Sequence, residues 1–172
     1  MLVLVLGASK SGKSKIAEDK IASIEGDVKR YYLATMEPYT EEADKAIQRH
    51  RQMRKNKGFT TIEKYRNIGE VNMDSPENNA VLLECMGNLV ANEMFSDGFL
   101  ENVSEKIYND IMKLYSKCDN LVIVSNIVSE DGVKYPYETE RYIENICRLN
   151  AMLSEKADEV IEAVCGIPYR LK

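Results

Sequence analysis

The residues best spaced for chemistry are Gly7, Ala8, Ser9, Lys10, Ser11, Gly12, Lys13 and Ser14. Their G-x-x-x-x-G-K-S spacing lets successive backbone N–H groups wrap a phosphate. Lys13 then reaches the β/γ-phosphates, and the Ser14 hydroxyl takes a place on Mg²⁺. Gly7 and Gly12 suit a backbone that must turn tightly against an anion. The apolar run Leu2-Val3-Leu4-Val5-Leu6 precedes this loop and a helical pattern follows it, which is the context such a loop requires. A helix starting there adds its N-terminal dipole to the same site.

His50, the single histidine, is the second candidate. Arg49 and Arg51 flank it, and Arg54 lies one helical turn on. Three cations disfavour the imidazolium, so the ring stays neutral and nucleophilic near pH 7. A neutral imidazole beside a polyphosphate can attack phosphorus and form a phosphoramidate. A solvated charged helix face is the alternative. Glu84, at the end of the apolar stretch Ala80-Val81-Leu82-Leu83, is placed for Mg²⁺ or a ligand hydroxyl, or else for a plain acidic strand cap.

The elements that must position these groups alternate between strand and helix. Residues 12 to about 25 read as a helix through Ile16, Ala17, Ile21, Ala22 and Ile24, ended by Gly26. Arg30 to Thr35 reads as a strand, with Ala34 and Thr35 at its ligand-bearing carboxyl end; a solvent-facing strand end is the alternative for Thr35. Glu41 to about Lys57 is charged and helical in propensity. Phe59 to Glu63 is a short strand, and Arg66 to Asn79 is a polar loop with Gly69 and Pro76. Val103, Ile107, Ile111, Leu114 and Cys118 form a helical core stripe. Leu121 to Asn126 is a buried strand with a polar end, and Tyr142, Ile146, Leu149 and Leu153 mark another helix. Val160 to Val164 and Tyr169 to Leu171 are short strands around a turn at Gly166-Ile167-Pro168. The expected architecture is an α/β, P-loop NTPase-like fold: a mostly parallel sheet flanked by helices, with residues 1–172 as a single nucleotide-binding catalytic domain.

Composition narrows the partners. A net charge of −5 argues against nucleic acid, since no basic face dominates the sum. Cys85, Cys118, Cys147 and Cys165 lack close C-x-x-C spacing and read as thiols of a reducing, cytoplasmic compartment. The apolar run before Gly7 is too short for a signal-peptide core, and nothing else approaches a membrane span. A regulatory GTP switch would call for N-K-x-D, which does not occur. A lid of arginines typical of small-molecule kinases is missing between Arg66 and Arg141. A silent scaffold that keeps the loop for stability is the third rival.

Several pieces together resemble the bifunctional adenosylcobinamide kinase/adenosylcobinamide-phosphate guanylyltransferase family. They are the loop at residue 7, Tyr32-Leu33-Ala34-Thr35, Ile47-x-x-His50-Arg51-x-x-Arg54, Phe59-x-Thr61-x-Glu63 and Leu82-Leu83-Glu84-Cys85. Val124-x-Asn126 and the tail from Ala157-Asp158-Glu159-Val160 through Gly166-Ile167-Pro168 to Leu171-Lys172 complete the set. The resemblance implies phosphorylation of adenosylcobinamide with ATP or GTP, followed by GMP transfer from GTP through a guanylylated histidine at His50. It implies nucleotide contacts from residues 7 to 14, from Leu33, Ala34 and Thr35, from Arg51, Gln52, Met53 and Arg54, and from Glu63 and Glu84. A corrinoid substrate and a homotrimer are implied in the same way. The chain departs from the family pattern at Asn126-Ile127, where Asn-Glu is usual, and at Thr40, Ser129 and Cys147. The missing carboxylate at Ile127 raises the expectation of a weakened kinase step beside intact nucleotidyl transfer. Thr40 still suits a helix cap.

Overall fold

The computed structural model describes residues 1–38, 47–48, 57–74, 77–128 and 132–172. The helix expected over 41–57 falls almost wholly outside the described residues, as do Thr40, Arg49, His50, Arg51, Gln52, Met53, Arg54, Pro76 and Ser129; residues 47–48 are helical.

Strand β1 (Leu2–Gly7) leads through the phosphate-type loop into α1 (Lys13–Ala22). Then follow β2 (Lys29–Ala34), β3 (Phe59–Glu63), β4 (Asn79–Glu84) and α2 (Met86–Phe95). The chain continues through α3 (Ser104–Tyr115), β5 (Asn120–Asn126), α4 (Tyr137–Lys156), β6 (Glu159–Val164) and β7 (Ile167–Arg170). The seven strands form one sheet in the order β3-β2-β4-β5-β1-β6-β7, parallel throughout except for the antiparallel β6–β7 pair. This is the expected mostly parallel α/β sheet flanked by helices. Because β1, β2, β4 and β5 are parallel, Gly7, Ala34, Glu84 and Asn126 all arrive at one sheet edge.

The alternation of the strands explains both layers. Leu2, Leu4 and Leu6 of β1, with Val81, Leu83, Leu121 and Ile123, pack against α2, α3 and α4. Val3, Val5, Leu82, Val122 and Val124 pack against Ala17 and Ile21 of α1. The central strands are apolar on both faces because helices cover both.

Three expectations are corrected. Helix α1 stops at Ala22, with Ser23 as its cap, short of the expected end near residue 25. The stretch read as a polar loop contains a 3-10 turn, Ile68–Glu70, with Ile68 fully buried against α3. The hairpin turn is Cys165-Gly166, and Ile167 and Pro168 already belong to β7. Both turn residues have positive φ, 50° and 84°, as a two-residue hairpin with the right strand twist requires. Helix α2 had no counterpart in the sequence reading, although Met86, Leu89, Val90 and Met94 form its buried stripe.

Candidate active site

The Gly7–Ser14 loop is held from three sides. Gly12 sits at φ 93°, a left-handed conformation that redirects the chain into α1. The Gly166 N–H donates to the Ser11 carbonyl at 2.8 Å, so the β6–β7 hairpin tip braces the loop. A Cβ on Gly12 would lie 3.0 Å from Gly166 Cα, which keeps side chains out of that junction. Helix α1 begins with no side-chain cap and no acidic residue in its first turn, leaving its N–H groups to an anion.

Lys13 is mostly buried, and its Nζ donates to the Ala8 carbonyl at 2.9 Å across the loop. Burial lowers its pKa from 10.5, while Cys85 and Glu84 act in the opposite direction. Burial also pushes the neighbouring Cys85 thiol up, so it stays protonated at neutral pH.

Glu84 is the junction of the site. Its Oε1 accepts the Ser14 hydroxyl at 2.5 Å and its Oε2 accepts the Tyr32 hydroxyl at 2.7 Å. Beside it lies a cavity of about 100 Å³ lined by Tyr32, Ala34, Met36, Ile47, Glu63, Glu84, Cys85 and Asn88. Three of the residues singled out from sequence, Ala34, Glu63 and Glu84, thus meet in one place, and Ile47 brings the start of the histidine segment to its wall. Leu33 places its side chain in the core.

Thr35 is fully buried. Its hydroxyl donates to the Cys85 carbonyl at 2.8 Å and accepts the Cys85 N–H at 2.9 Å, while its carbonyl accepts from Asn92 Nδ2 at 2.8 Å. It ties the end of β2 to the residue after Glu84 and to α2. Sequence reasoning did not single out Tyr32 as a site residue, nor Asn88, Asn92 or the Gly166 brace. Tyr32 was visible as the aromatic two residues before Ala34, but its partner lies 52 positions away. Among the described residues no cluster of three or more His, Cys, Asp or Glu side chains could hold a metal ion, and no helix is long and apolar enough to cross a membrane.

A parallel sheet whose first strand runs into this loop, with a carboxylate from β4 on the loop serine, defines a P-loop nucleotide-binding α/β protein. Solved structures share the fold: a helicase ATPase domain at TM-score 0.53 and 12% identity, covering 94% of this chain and 68% of that one. The flagellar accessory protein FlaH from Methanocaldococcus jannaschii matches at TM-score 0.50 and 13% identity, covering 99% and 77%. The chain belongs to the cobinamide kinase/cobinamide phosphate guanyltransferase family, whose model matches residues 3–171. It is 31% identical, over 100% of both chains, to a bifunctional adenosylcobalamin biosynthesis protein, CobU, from Escherichia coli, and equally so to its counterpart from Salmonella typhimurium. CobP from Pseudomonas aeruginosa is 25% identical, over 98% of this chain and 96% of its own.

Proposed function

We propose that this chain phosphorylates adenosylcobinamide with ATP or GTP and then transfers GMP from GTP onto adenosylcobinamide phosphate. The observation that carries the reading is the Ser14–Glu84 contact at the mouth of the phosphate loop, in a chain whose family membership spans residues 3–171. In the first reaction the substrate hydroxyl attacks the γ-phosphorus, and the nucleoside diphosphate leaves with the bridging oxygen. In the second, a ring nitrogen of His50 attacks the α-phosphorus of GTP and pyrophosphate departs. An oxygen of adenosylcobinamide phosphate then displaces the imidazole, giving adenosylcobinamide-GDP.

In this reading the backbone of Gly7, Ala8, Ser9, Lys10, Ser11 and Gly12 cradles the phosphates, and Lys13 leaves the Ala8 carbonyl to pair with them. Leu33, Ala34, Thr35 and Glu63 border the nucleotide, and Arg51, Gln52, Met53 and Arg54 complete its grip. A serine hydroxyl beside a carboxylate is a hard oxygen donor set that suits Mg²⁺, which uses few protein ligands and keeps waters and substrate phosphates. Ser14 and Glu84 would hold the ion, which would neutralise phosphate charge.

We further propose that residues 1–172 act as one catalytic domain, as a cytoplasmic homotrimer. Val164, Ile167, Tyr169 and Leu171, all exposed on the β6–β7 hairpin and the tail, support association. Light scattering on the purified protein tests the trimer.

The transfer is tested with α-labelled GTP and Mg²⁺, quenched in denaturant at alkaline pH, with His50→Ala alongside. Acid-labile label on the wild type that is lost in the variant is the expected result; no label while GTP still binds overturns it. A second reading, nucleotidyl transfer with a weakened kinase step, is favoured by Ile127. Its apolar side chain packs on the core where the resemblance leads one to look for a carboxylate. Robust phosphorylation of cobinamide would rule it out.

A further inference from the structure

We propose that Asn126 reads the terminal phosphate of the nucleotide held by the Gly7–Ser14 loop, an inference that rests on the nucleotide reading above. Strand β5 lies between β1 and β4, the strands that carry the loop and Glu84. Within it Asn126 is the register partner of Gly7, and the next N–H, of Ile127, donates to the Gly7 carbonyl at 3.1 Å. Asn126 therefore stands where the chain leaves the sheet to enter the loop. Val122 and Val124 pack on the α1 side of the sheet, and Asn126 continues that alternation, on the same side as Leu82 and Glu84.

The strand end is clamped while the carboxamide is not. Asn150 of α4 donates from Nδ2 to the Asn126 carbonyl at 3.0 Å, and its Oδ1 accepts the Ser125 hydroxyl at 2.6 Å. The described hydrogen bonds of Asn126 are thus made by its backbone. Its Nδ2 lies 2.9 Å from the point a Cβ on Gly87 would occupy, and the Tyr142 hydroxyl lies 2.9 Å from the same point. Tyr142 donates to the Gly87 carbonyl at 3.3 Å, and burial raises its pKa to about 12, so it keeps its proton. A residue without a side chain at position 87 makes the room the carboxamide occupies.

The loop wraps the inner phosphates. The terminal phosphate extends toward the carboxyl ends of β4 and β5, and there a neutral carboxamide donates N–H to a phosphate oxygen without adding negative charge. A carboxylate at this position would repel the same group.

The test compares GTP and GDP affinities, by competition with a fluorescent nucleotide in Mg²⁺, for wild type, Asn126→Ala, Asn126→Asp and Gly87→Ala. Asn126→Ala is expected to cut the preference for triphosphate over diphosphate about 10-fold or more, the scale of one hydrogen bond to a charged group, with GDP affinity unchanged. Asn126→Asp cuts it further through repulsion, and Gly87→Ala moves in the same direction by displacing the carboxamide. Unchanged preference in a folded Asn126→Ala protein overturns the inference while leaving the nucleotide reading standing. Failure of the wild type to bind either nucleotide overturns both. Should Asn126→Ala melt below the wild type, Asn126→Ser, whose hydroxyl is too short to reach, supplies the same readout.

Discussion

Ser14 at the start of α1 donates its hydroxyl to Glu84 Oε1 at 2.5 Å, across 70 positions of sequence. A short hydrogen bond to an ionised acceptor is among the stronger contacts a protein makes. The pair joins the phosphate loop to the strand two places away in the sheet. Ser14→Ala and Glu84→Gln are each expected to weaken Mg²⁺-supported GTP binding about 10- to 100-fold, the scale seen when metal-site oxygens are lost or retuned. Titrating Mg²⁺ at fixed GTP measures it. Equal Mg²⁺ dependence in wild type and both variants would show that the pair serves the fold alone.

Lys13 sets a pH dependence. Burial lowers its pKa below 10.5, and only the ammonium form pairs with phosphate. GTP affinity should therefore fall as pH rises through that lowered value, before an ordinary lysine would titrate. Without nucleotide the sign reverses for stability. Between the lowered value and 10.5 the unfolded chain binds more protons, so the folded state gains stability as pH rises through that window. Affinity and melting temperature from pH 7 to 10.5, against Lys13→Arg, which stays charged throughout, would check both signs.

Thr35→Val removes the hydroxyl that satisfies both polar groups of the Cys85 backbone. The expected loss is about 1–3 kcal/mol, the cost of stranding buried hydrogen-bonding groups while keeping nearly the same shape. Because Cys85 follows Glu84, nucleotide affinity should fall in parallel. Urea unfolding and GTP titration of the same preparation measure the two; a variant as stable as wild type would remove Thr35 from this role.

Ile68→Ala opens a cavity beside α3 and should cost about 2–5 kcal/mol in urea unfolding. GTP affinity at a temperature where the variant stays folded is expected to be unchanged, because Ile68 lies in the layer under α3 rather than at the loop. A loss below about 1 kcal/mol would mean the 3-10 turn is peripheral to the core.

Much of the fold was legible locally. Apolar runs such as Leu2 to Leu6 and Leu121 to Val124 must bury both faces and therefore lie inside a parallel sheet. The stripe Ile107, Ile111 and Leu114 identifies α3 by its period alone. Helix α2 escaped notice because its apolar residues begin at Met86, directly after the strand, and merge with that run. Ile68 escaped because its burial depends on α3 passing over a stretch whose own composition is polar.

By itself the sequence determined the phosphate loop, the strands that flank it and the acidic end of β4, because these are written in contiguous residues with short-range steric and hydrogen-bonding demands. Only the tertiary structure decided that Glu84 meets Ser14 and Tyr32, that Gly166 braces Ser11, and that Asn126 faces Gly7 beside Gly87. Those contacts depend on strand order and helix packing, which bring together residues that no local pattern relates.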